Sequence, residues 1–265
     1  MAAYNVSNYV SRNVDNYLVA RNLGAYSLGI YSLGYKIIIF PVQMLSVLIN
    51  KVLFPLCSKV QNDIQEFYEL YIDAVKIAIS IGFPILIILF ISRSEIVYLV
   101  LGEKWASVGE IIGYLLPAAL FQLIGTTVGV IYQVYARTGL MFYWSLIYGV
   151  AIIVAVLIGS RWSLSGVAIS YSVASFILSI PNLFIPLKLI DKSILEFYKD
   201  ISQSVIAMLV SGIILYLVYN NLLDAFGIYV GLFVFVVLGF LLSIIGLYIV
   251  DRKFLIRMYR VMLVR

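Results

Sequence analysis

Residues 1–60, MAAYNVSNYVSRNVDNYLVARNLGAYSLGIYSLGYKIIIFPVQMLSVLINKVLFPLCSKV, are apolar enough to cross a bilayer, yet they carry polar side chains at helical spacing. We interpret this segment as two helices that are broken at residues 22–25. One face of the first helix is polar, with steps of three and four residues between Asn5, Asn8, Arg12, Asp15 and Asn16. The second helix carries a similar stripe of Ser32, Lys36, Gln43, Ser46 and Asn50. Two adjacent helices are therefore predicted to present polar faces.

The charged side chains on these faces would be costly in lipid. An ionised side chain near the bilayer centre costs about 3 kcal/mol, which disfavours a lipid-facing position for Arg12, Asp15 or Lys36. Two interpretations remain open. In the first, these groups line a hydrated cavity inside the protein. In the second, Arg12 and Asp15 neutralise each other, since they are three residues apart, and Lys36 pairs across the boundary between the helices.

The composition is that of a multi-pass membrane protein. Of the 265 residues, 63% are hydrophobic and only 12% are charged, which is outside the usual range of soluble domains. The chain has no histidine, which argues against a histidine base, a histidine-ligated metal or a histidine proton relay. The formal net charge of +5 is scattered over the ends of the predicted helices, so we predict no nucleic-acid partner.

With about 20 apolar residues per crossing, the sequence predicts an all-α fold, a polytopic membrane helical bundle of about eight transmembrane helices. The predicted spans are 3–21, 27–54, 70–92, 110–136, 139–159, 164–187, 202–221 and 226–250. Lysine and arginine concentrate on one side of this topology, which places both termini in the cytoplasm. The segment 251–265 alternates basic and apolar residues and is expected to lie on the inner membrane surface.

Two further stripes have a simpler explanation as helix contacts. In the fourth span a polar stripe consists of Gln122, Thr126, Gln133 and Arg137, and either a cavity wall or helix packing would explain it. The sixth span carries a seam of small or polar residues, namely Ser165, Ala168, Ser172, Ser175, Ser179 and Asn182. We interpret this seam as a packing surface.

No catalytic constellation is visible. The chain lacks a paired Asp-x-Asp site, a glycine-rich phosphate loop, a nucleophile elbow and a metal-ligand cluster. We therefore expect no cofactor and no metal, and a membrane-embedded enzyme of polysaccharide assembly is the less favoured alternative.

A family resemblance rests on the order and spacing of several short runs. They are residues 12–18 (RNVDNYL) with Leu23-Gly24, residues 28–31 (LGIY), Tyr35-Lys36, Pro41, residues 52–55 (VLFP) with Gln61, residues 101–105 (LGEKW) and residues 136–139 (ARTG). This pattern resembles the second half of bacterial polysaccharide flippases, the Wzx-like members of the multidrug, oligosaccharidyl-lipid and polysaccharide exporter superfamily.

The resemblance implies an inner-membrane transporter with two six-helix bundles around a cavity and two additional helices. Such proteins move undecaprenyl-pyrophosphate-linked oligosaccharide repeat units towards the periplasm. Residues 1–190 would correspond to the second bundle, and residues 191–265 to the additional helices with a basic cytoplasmic tail. A first bundle is not found in this sequence, so we expect a fragment or truncated form whose partners are the lipid-linked oligosaccharide, membrane lipids and a separate amino-terminal half or polysaccharide-assembly proteins.

The expected substrate site follows from the polar faces and the resemblance together. Arg12 and Lys36 would offset the desolvation of the pyrophosphate, and Asp15 would orient Arg12 or take up a coupling proton. Sugar hydroxyls would be bound by the neutral side chains Asn8, Asn16, Gln43 and Asn50. The alternatives within the same superfamily are a flippase for the peptidoglycan lipid precursor and a drug exporter.

Overall fold

The computed structural model describes the backbone of residues 2–251 and 254 and the side chains of residues 14–251 and 254. This part of the chain contains eight α-helices and no β-strand, so the predicted all-α fold is confirmed. The helices are α1 (Ala2–Lys59), α2 (Ile64–Ile91), α3 (Arg93–Leu101), α4 (Ala106–Gly125), α5 (Val128–Val134), α6 (Thr138–Gly159), α7 (Leu164–Lys188) and α8 (Ile194–Val250). A 3₁₀ turn, Glu103–Trp105, joins α3 to α4.

Within the described residues, six helical stretches are long and apolar enough to cross a membrane. Their bounds are Val14–Lys59, Ile64–Ile91, Glu103–Val134, Thr138–Gly159, Leu164–Lys188 and Ile194–Val250. The protein is therefore a multi-pass membrane protein, and its fold is a polytopic helical bundle. The predicted number of eight crossings differs from this count because α1 and α8 are each counted once.

The helix α1 reverses direction at Gly24. This residue has φ 86° and ψ 170°, which is not helical, and it lies inside the predicted break at residues 22–25. The Tyr31 hydroxyl donates to a carboxylate oxygen of Asp15 at 3.3 Å, although the two residues are 16 apart in sequence. A straight helix would separate them by about 24 Å. The two arms of α1 therefore fold against each other.

The helix α8 makes a second reversal at Gly227, where φ is 70° and ψ is 172°. The Ser211 hydroxyl donates to the Leu242 carbonyl at 3.0 Å, across 31 residues of sequence. A side chain at Gly246 would contact Ala207, one turn further along the same antiparallel pair. Gly24 lies in the predicted connection between the first two spans, whereas Gly227 lies just inside the predicted span 226–250, and eight membrane crossings stay a prediction.

The helices α1, α2, α4, α6 and α7 form the bundle, and α8 packs beside it. The helix α4 contacts α1, α2 and α7, while α6 contacts α1 and α7. The helix α8 packs mainly on α2, where Ile88 joins a small apolar cluster with Leu215, Leu232 and Phe235 of the antiparallel pair. Of the predicted tail, residues 251–265, the structure describes only Asp251 and Phe254, and both are buried.

The small-residue seam of α7 packs against α4 and α6 as predicted. The Ser172 hydroxyl donates to the Tyr114 carbonyl of α4 at 2.6 Å, and the indole of Trp144 in α6 donates to Asn182 at 2.9 Å. Small side chains let membrane helices approach closely, and their hydroxyl and amide groups form hydrogen bonds between helices. The seam thus fixes α7 between two neighbours.

A buried ion pair joins α8 to the bundle. The Lys76 ammonium of α2 donates to a carboxylate oxygen of Asp251 at 2.7 Å, and the two side chains are only 8% and 4% exposed. Ser204 donates to the same oxygen at 3.1 Å, and the Phe254 ring lies 5.6 Å from the ammonium. The pair therefore ties the end of α8 to α2 within a nearly dry environment.

Substitution of Gly227 by alanine is expected to destabilise the fold. Its backbone region is one that only glycine adopts readily, and strain of this kind costs about 1–3 kcal/mol. The matched control is Gly139→Ala, because Gly139 is helical and has nothing within 4 Å of an added Cβ. Thermal unfolding in detergent should show a lower midpoint for the first variant and an unchanged midpoint for the second.

Loss of the ammonium from the buried pair should be costly. Lys76→Met leaves the Asp251 carboxylate buried alone, which is expected to cost about 3 kcal/mol. Glu196→Gln, which removes a charge from the more exposed Lys192–Glu196 pair, should cost less than about 1 kcal/mol. The double variant Lys76→Met with Asp251→Asn should lose less stability than the sum of its single variants. Equal losses for Lys76→Met and Glu196→Gln would contradict this account.

Candidate functional site

The second arm of α1 presents a mixed polar and apolar face that no other described helix covers. Lys36, Phe40, Gln43, Val47 and Lys51 recur at steps of three and four residues, and all are exposed. We call this face the α1 wall. The opposite face of the same arm is buried and wholly apolar, with Ile38, Val42 and Leu45 in the core. The helical repeat thus separates a core face from the α1 wall.

The position of Lys36 on the α1 wall restricts what can border it. The lysine lies within Val14–Lys59, a stretch that is otherwise apolar enough to cross a membrane. A lysine that faces lipid there would carry an energetic cost of about 3 kcal/mol. Water, another protein surface or an anionic ligand would remove much of that cost. The α1 wall is therefore suited to a hydrated cavity.

Gln43 lies on the α1 wall with Lys36, whereas Asn50 lies at its edge and turns towards α4. The Asn50 amide nitrogen donates to the Ser46 carbonyl at 2.8 Å and to the Thr126 carbonyl at 3.2 Å. Both of its donor hydrogens are therefore engaged within the protein. In this structure Asn50 joins α1 to the segment between α4 and α5, and its Oδ1 atom is buried.

The first arm of α1 places its predicted site residues differently. Asp15 is 2% exposed and accepts hydrogen bonds from the Tyr31 hydroxyl and from the backbone nitrogen of Asn16. Asn16 is half-buried. Asn8 and Arg12 lie among residues whose side chains the structure does not describe. The carboxylate thus lies in the bundle interior, away from the exposed α1 wall.

A tyrosine cluster crosses the bundle beside the α1 wall. The Tyr35 and Tyr171 hydroxyls lie 3.2 Å apart, and the Gln122 amide donates to the Tyr171 hydroxyl at 2.8 Å. The Tyr31 and Tyr35 rings stack at 6.1 Å, so the cluster extends to Asp15. Tyr31 and Tyr35 belong to the runs that carry the family resemblance, but no role was predicted for them or for Tyr171. The spacing of four residues between Tyr31 and Tyr35 is the signal that would have indicated a shared face.

The predicted stripe of the fourth span divides between several roles. Gln122 belongs to the tyrosine cluster, and the Thr126 hydroxyl donates to the Leu123 carbonyl of its own helix at 2.9 Å. Gln133 is half-buried in α5, and Arg137 is exposed beyond the end of that helix. Helix packing therefore accounts for the first two residues of the stripe.

Sequence comparison relates this chain to polysaccharide biosynthesis proteins. The family described as "Polysaccharide biosynthesis protein" matches residues 1–110. The lipopolysaccharide biosynthesis protein WzxC of Escherichia coli K12 is 27% identical over 189 residues, which cover 71% of this chain and 38% of WzxC. The teichuronic acid biosynthesis protein TuaB of Bacillus subtilis is 27% identical over 175 residues, which cover 64% of this chain and 36% of TuaB.

The fold has a counterpart among solved structures. The lipid II flippase MurJ in an inward closed conformation superposes with a TM-score of 0.74 at 19% sequence identity. The match covers 94% of this chain and 52% of the MurJ chain. The chain is thus similar in sequence to polysaccharide biosynthesis proteins and similar in fold to MurJ. It spans less than half the length of WzxC and TuaB and about half the length of MurJ.

The tyrosine cluster is expected to stabilise the bundle. Tyr171→Phe removes the hydroxyl that connects Tyr35 with Gln122 and leaves two buried polar groups without that partner, which should cost about 1–3 kcal/mol. The control is Tyr143→Phe, because Tyr143 is 65% exposed on α6. Thermal unfolding in detergent should separate the two variants. Equal midpoints would mean that the cluster contributes no stability.

Proposed function

We propose that this chain is one lobe of a flippase that moves undecaprenyl-pyrophosphate-linked oligosaccharide repeat units across the bacterial inner membrane. The observation that carries the proposal is the α1 wall, where Lys36 and Gln43 are exposed on a membrane-spanning helix. Its support from relatives is twofold. WzxC and TuaB are named as lipopolysaccharide and teichuronic acid biosynthesis proteins, and the superposed MurJ is named as a lipid II flippase.

The α1 wall has the chemistry that this substrate needs. A pyrophosphate loses much of its hydration in a low-dielectric region, and a nearby ammonium group offsets part of that cost. Lys36 would supply this charge, together with Arg12. Gln43 would hydrogen-bond sugar hydroxyls, and the exposed Phe40 and Val47 would border the apolar lipid chain. No bond is made or broken in this process, so we assign no enzymatic step.

The remaining site residues keep separate roles in the proposal. Asn8 and Asn16 would bind sugar hydroxyls from the first arm of α1. Asn50 was predicted to do the same, but its amide hydrogens are engaged and its Oδ1 atom is buried, so it would support the α1 wall from the side of α4. Asp15 would act from the interior by holding that arm through Tyr31, since its carboxylate is buried. This role of holding the arm would add to its predicted role of orienting Arg12.

The α1 wall is only one side of a cavity. Because the chain matches about half of the MurJ chain, we propose that a separate amino-terminal half supplies the opposite side. Alternating access would then be a rocking motion of one half against the other. Both termini of this chain would be cytoplasmic, and α8 would be the pair of additional helices beside the second bundle.

A second candidate is a flippase for the peptidoglycan lipid precursor. The MurJ superposition, which covers 94% of the chain, favours it. The two functions differ in the molecule that accumulates when the gene is deleted. Accumulation of the peptidoglycan precursor, with normal surface polysaccharide, would support this second candidate against the first.

Neutralisation of the α1 wall should impair export. The chain would be expressed with a six-span amino-terminal half of a related transporter in cells that lack their own flippase, and surface polysaccharide would be measured. Lys36→Gln should lower export about tenfold, because a charge-assisted hydrogen bond contributes about 1.5 kcal/mol. Arg12→Gln combined with Lys36→Gln should abolish export.

The matched control is Lys59→Gln, which removes an exposed lysine from the last turn of α1, outside the α1 wall. This variant should export normally, because the charge lies close to the membrane surface. Immunoblots of the membrane fraction should show equal amounts of all variants. Normal export by the Arg12 and Lys36 double variant would reject the cationic wall.

A further inference from the structure

Three buried hydroxyl groups lie near the end of the bundle where α1 ends and α2 begins. The proposed transport does not use them. They belong to Tyr71 of α2, Thr127 between α4 and α5, and Tyr132 of α5, whose side chains are 0%, 0% and 1% exposed. The Tyr71 hydroxyl faces Thr127 and lies within electrostatic reach of Tyr132 and of the buried Cys57 thiol. We call these three residues the hydroxyl cluster.

The hydroxyl cluster is not satisfied by the protein itself. The Tyr71 and Thr127 hydroxyls interact with each other, but neither they nor the Tyr132 hydroxyl makes a hydrogen bond of good geometry to the side chains that the structure describes. Native proteins seldom leave buried polar groups without a partner, because each such group has lost its hydration without compensation. Three such groups in one place indicate a ligand that can bridge them.

Aromatic rings close the cluster off from its surroundings. The Phe67 ring, one turn from Tyr71 in α2, packs against Tyr135 at 5.2 Å, and the Tyr135 hydroxyl donates to the Gln61 carbonyl at 3.2 Å. On another side the Phe197 ring of α8 lies 6.2 Å from the Tyr71 ring. Whatever the hydroxyl cluster binds is therefore enclosed and small.

The hydroxyl cluster lies at a break in a membrane-spanning helix. The helix α4 ends at Gly125 and α5 begins at Val128. The hydrogen bonds around the break are of the shorter 3₁₀ type, from Thr126 to Leu123 and from Val130 to Thr127. Broken backbone at membrane depth is tolerated where side chains or ordered water replace the missing partners. The Asn50 amide is one such partner, because it donates a hydrogen bond to the Thr126 carbonyl.

We propose that the hydroxyl cluster binds buried water at the break between α4 and α5. Hydroxyl groups both donate and accept hydrogen bonds, as water does, and a buried water typically makes about three hydrogen bonds. A neutral set of hydroxyls and a thiol has no carboxylate with which to hold a metal ion. The bound water links α2 to α5 and stabilises the broken helix.

Radiolytic footprinting of the full chain in lipid nanodiscs with ¹⁸O-labelled water tests the proposal directly. Hydroxyl radicals form from a bound water at the place where it is held. We expect ¹⁸O incorporation at Tyr71 and Tyr132 to approach that at the exposed Tyr143, although both tyrosines are buried. Phe235, which is 0% exposed in the cluster between α2 and α8, is the control for a buried ring. Labelling of Tyr71 and Tyr132 no greater than that of Phe235 would overturn the water site.

Stability measurements give a second, independent test. Tyr71→Phe, Tyr132→Phe and Thr127→Val each remove a hydroxyl with little change of shape. If water is bound, each variant loses a hydrogen bond and its thermal midpoint should fall by about 2 °C. The thermal midpoint of the double variant Tyr71→Phe with Thr127→Val should fall by less than the sum of the two single shifts, because both hydroxyls hold the same water. An unchanged or raised midpoint in the single variants would show that the cluster is dry.

Discussion

The requirement that polar groups find partners within an apolar environment shapes this molecule more than any other constraint. Backbone groups meet it through helices, which is why almost the whole described chain is helical. Buried charges meet it through specific contacts, as Asp15 does with Tyr31 and Lys76 does with Asp251. Lys36 differs from these buried charges, because it is exposed on a membrane-spanning helix. This difference distinguishes the α1 wall from the rest of the bundle.

Much of the fold could be predicted from the sequence because hydrophobicity and helical spacing determine it. The break at residues 22–25 and the small-residue seam of α7 both agree with the structure. The number of membrane crossings is harder to establish. The helices α1 and α8 each count as one helix, although the chain reverses at Gly24 and Gly227. Only contacts between distant residues, such as Ser211 with Leu242, reveal the reversals.

The candidate site was less predictable than the fold. Helical periodicity predicted that Lys36, Gln43 and Asn50 share one stripe. A stripe of that width has an edge, and residues at this edge contact the neighbouring helix. The contact with Thr126 turns Asn50 inwards. The sequence of α1 does not indicate where α4 will break. Lys76 likewise depends on a partner that its own helix does not supply. Its partner Asp251 comes from the far end of the chain, which no local pattern could indicate.

The distance along the chain between Lys76 and Asp251 has a consequence for how the protein is made. The partners are 175 residues apart, so the lysine enters the membrane long before its carboxylate has been synthesised. At about 5–20 residues per second, the ribosome needs roughly 10–35 s to reach the aspartate. During that interval α2 carries a charge that only water, lipid headgroups or the insertion machinery can accommodate. The charge on α2 is thus paired only after α8 has been synthesised.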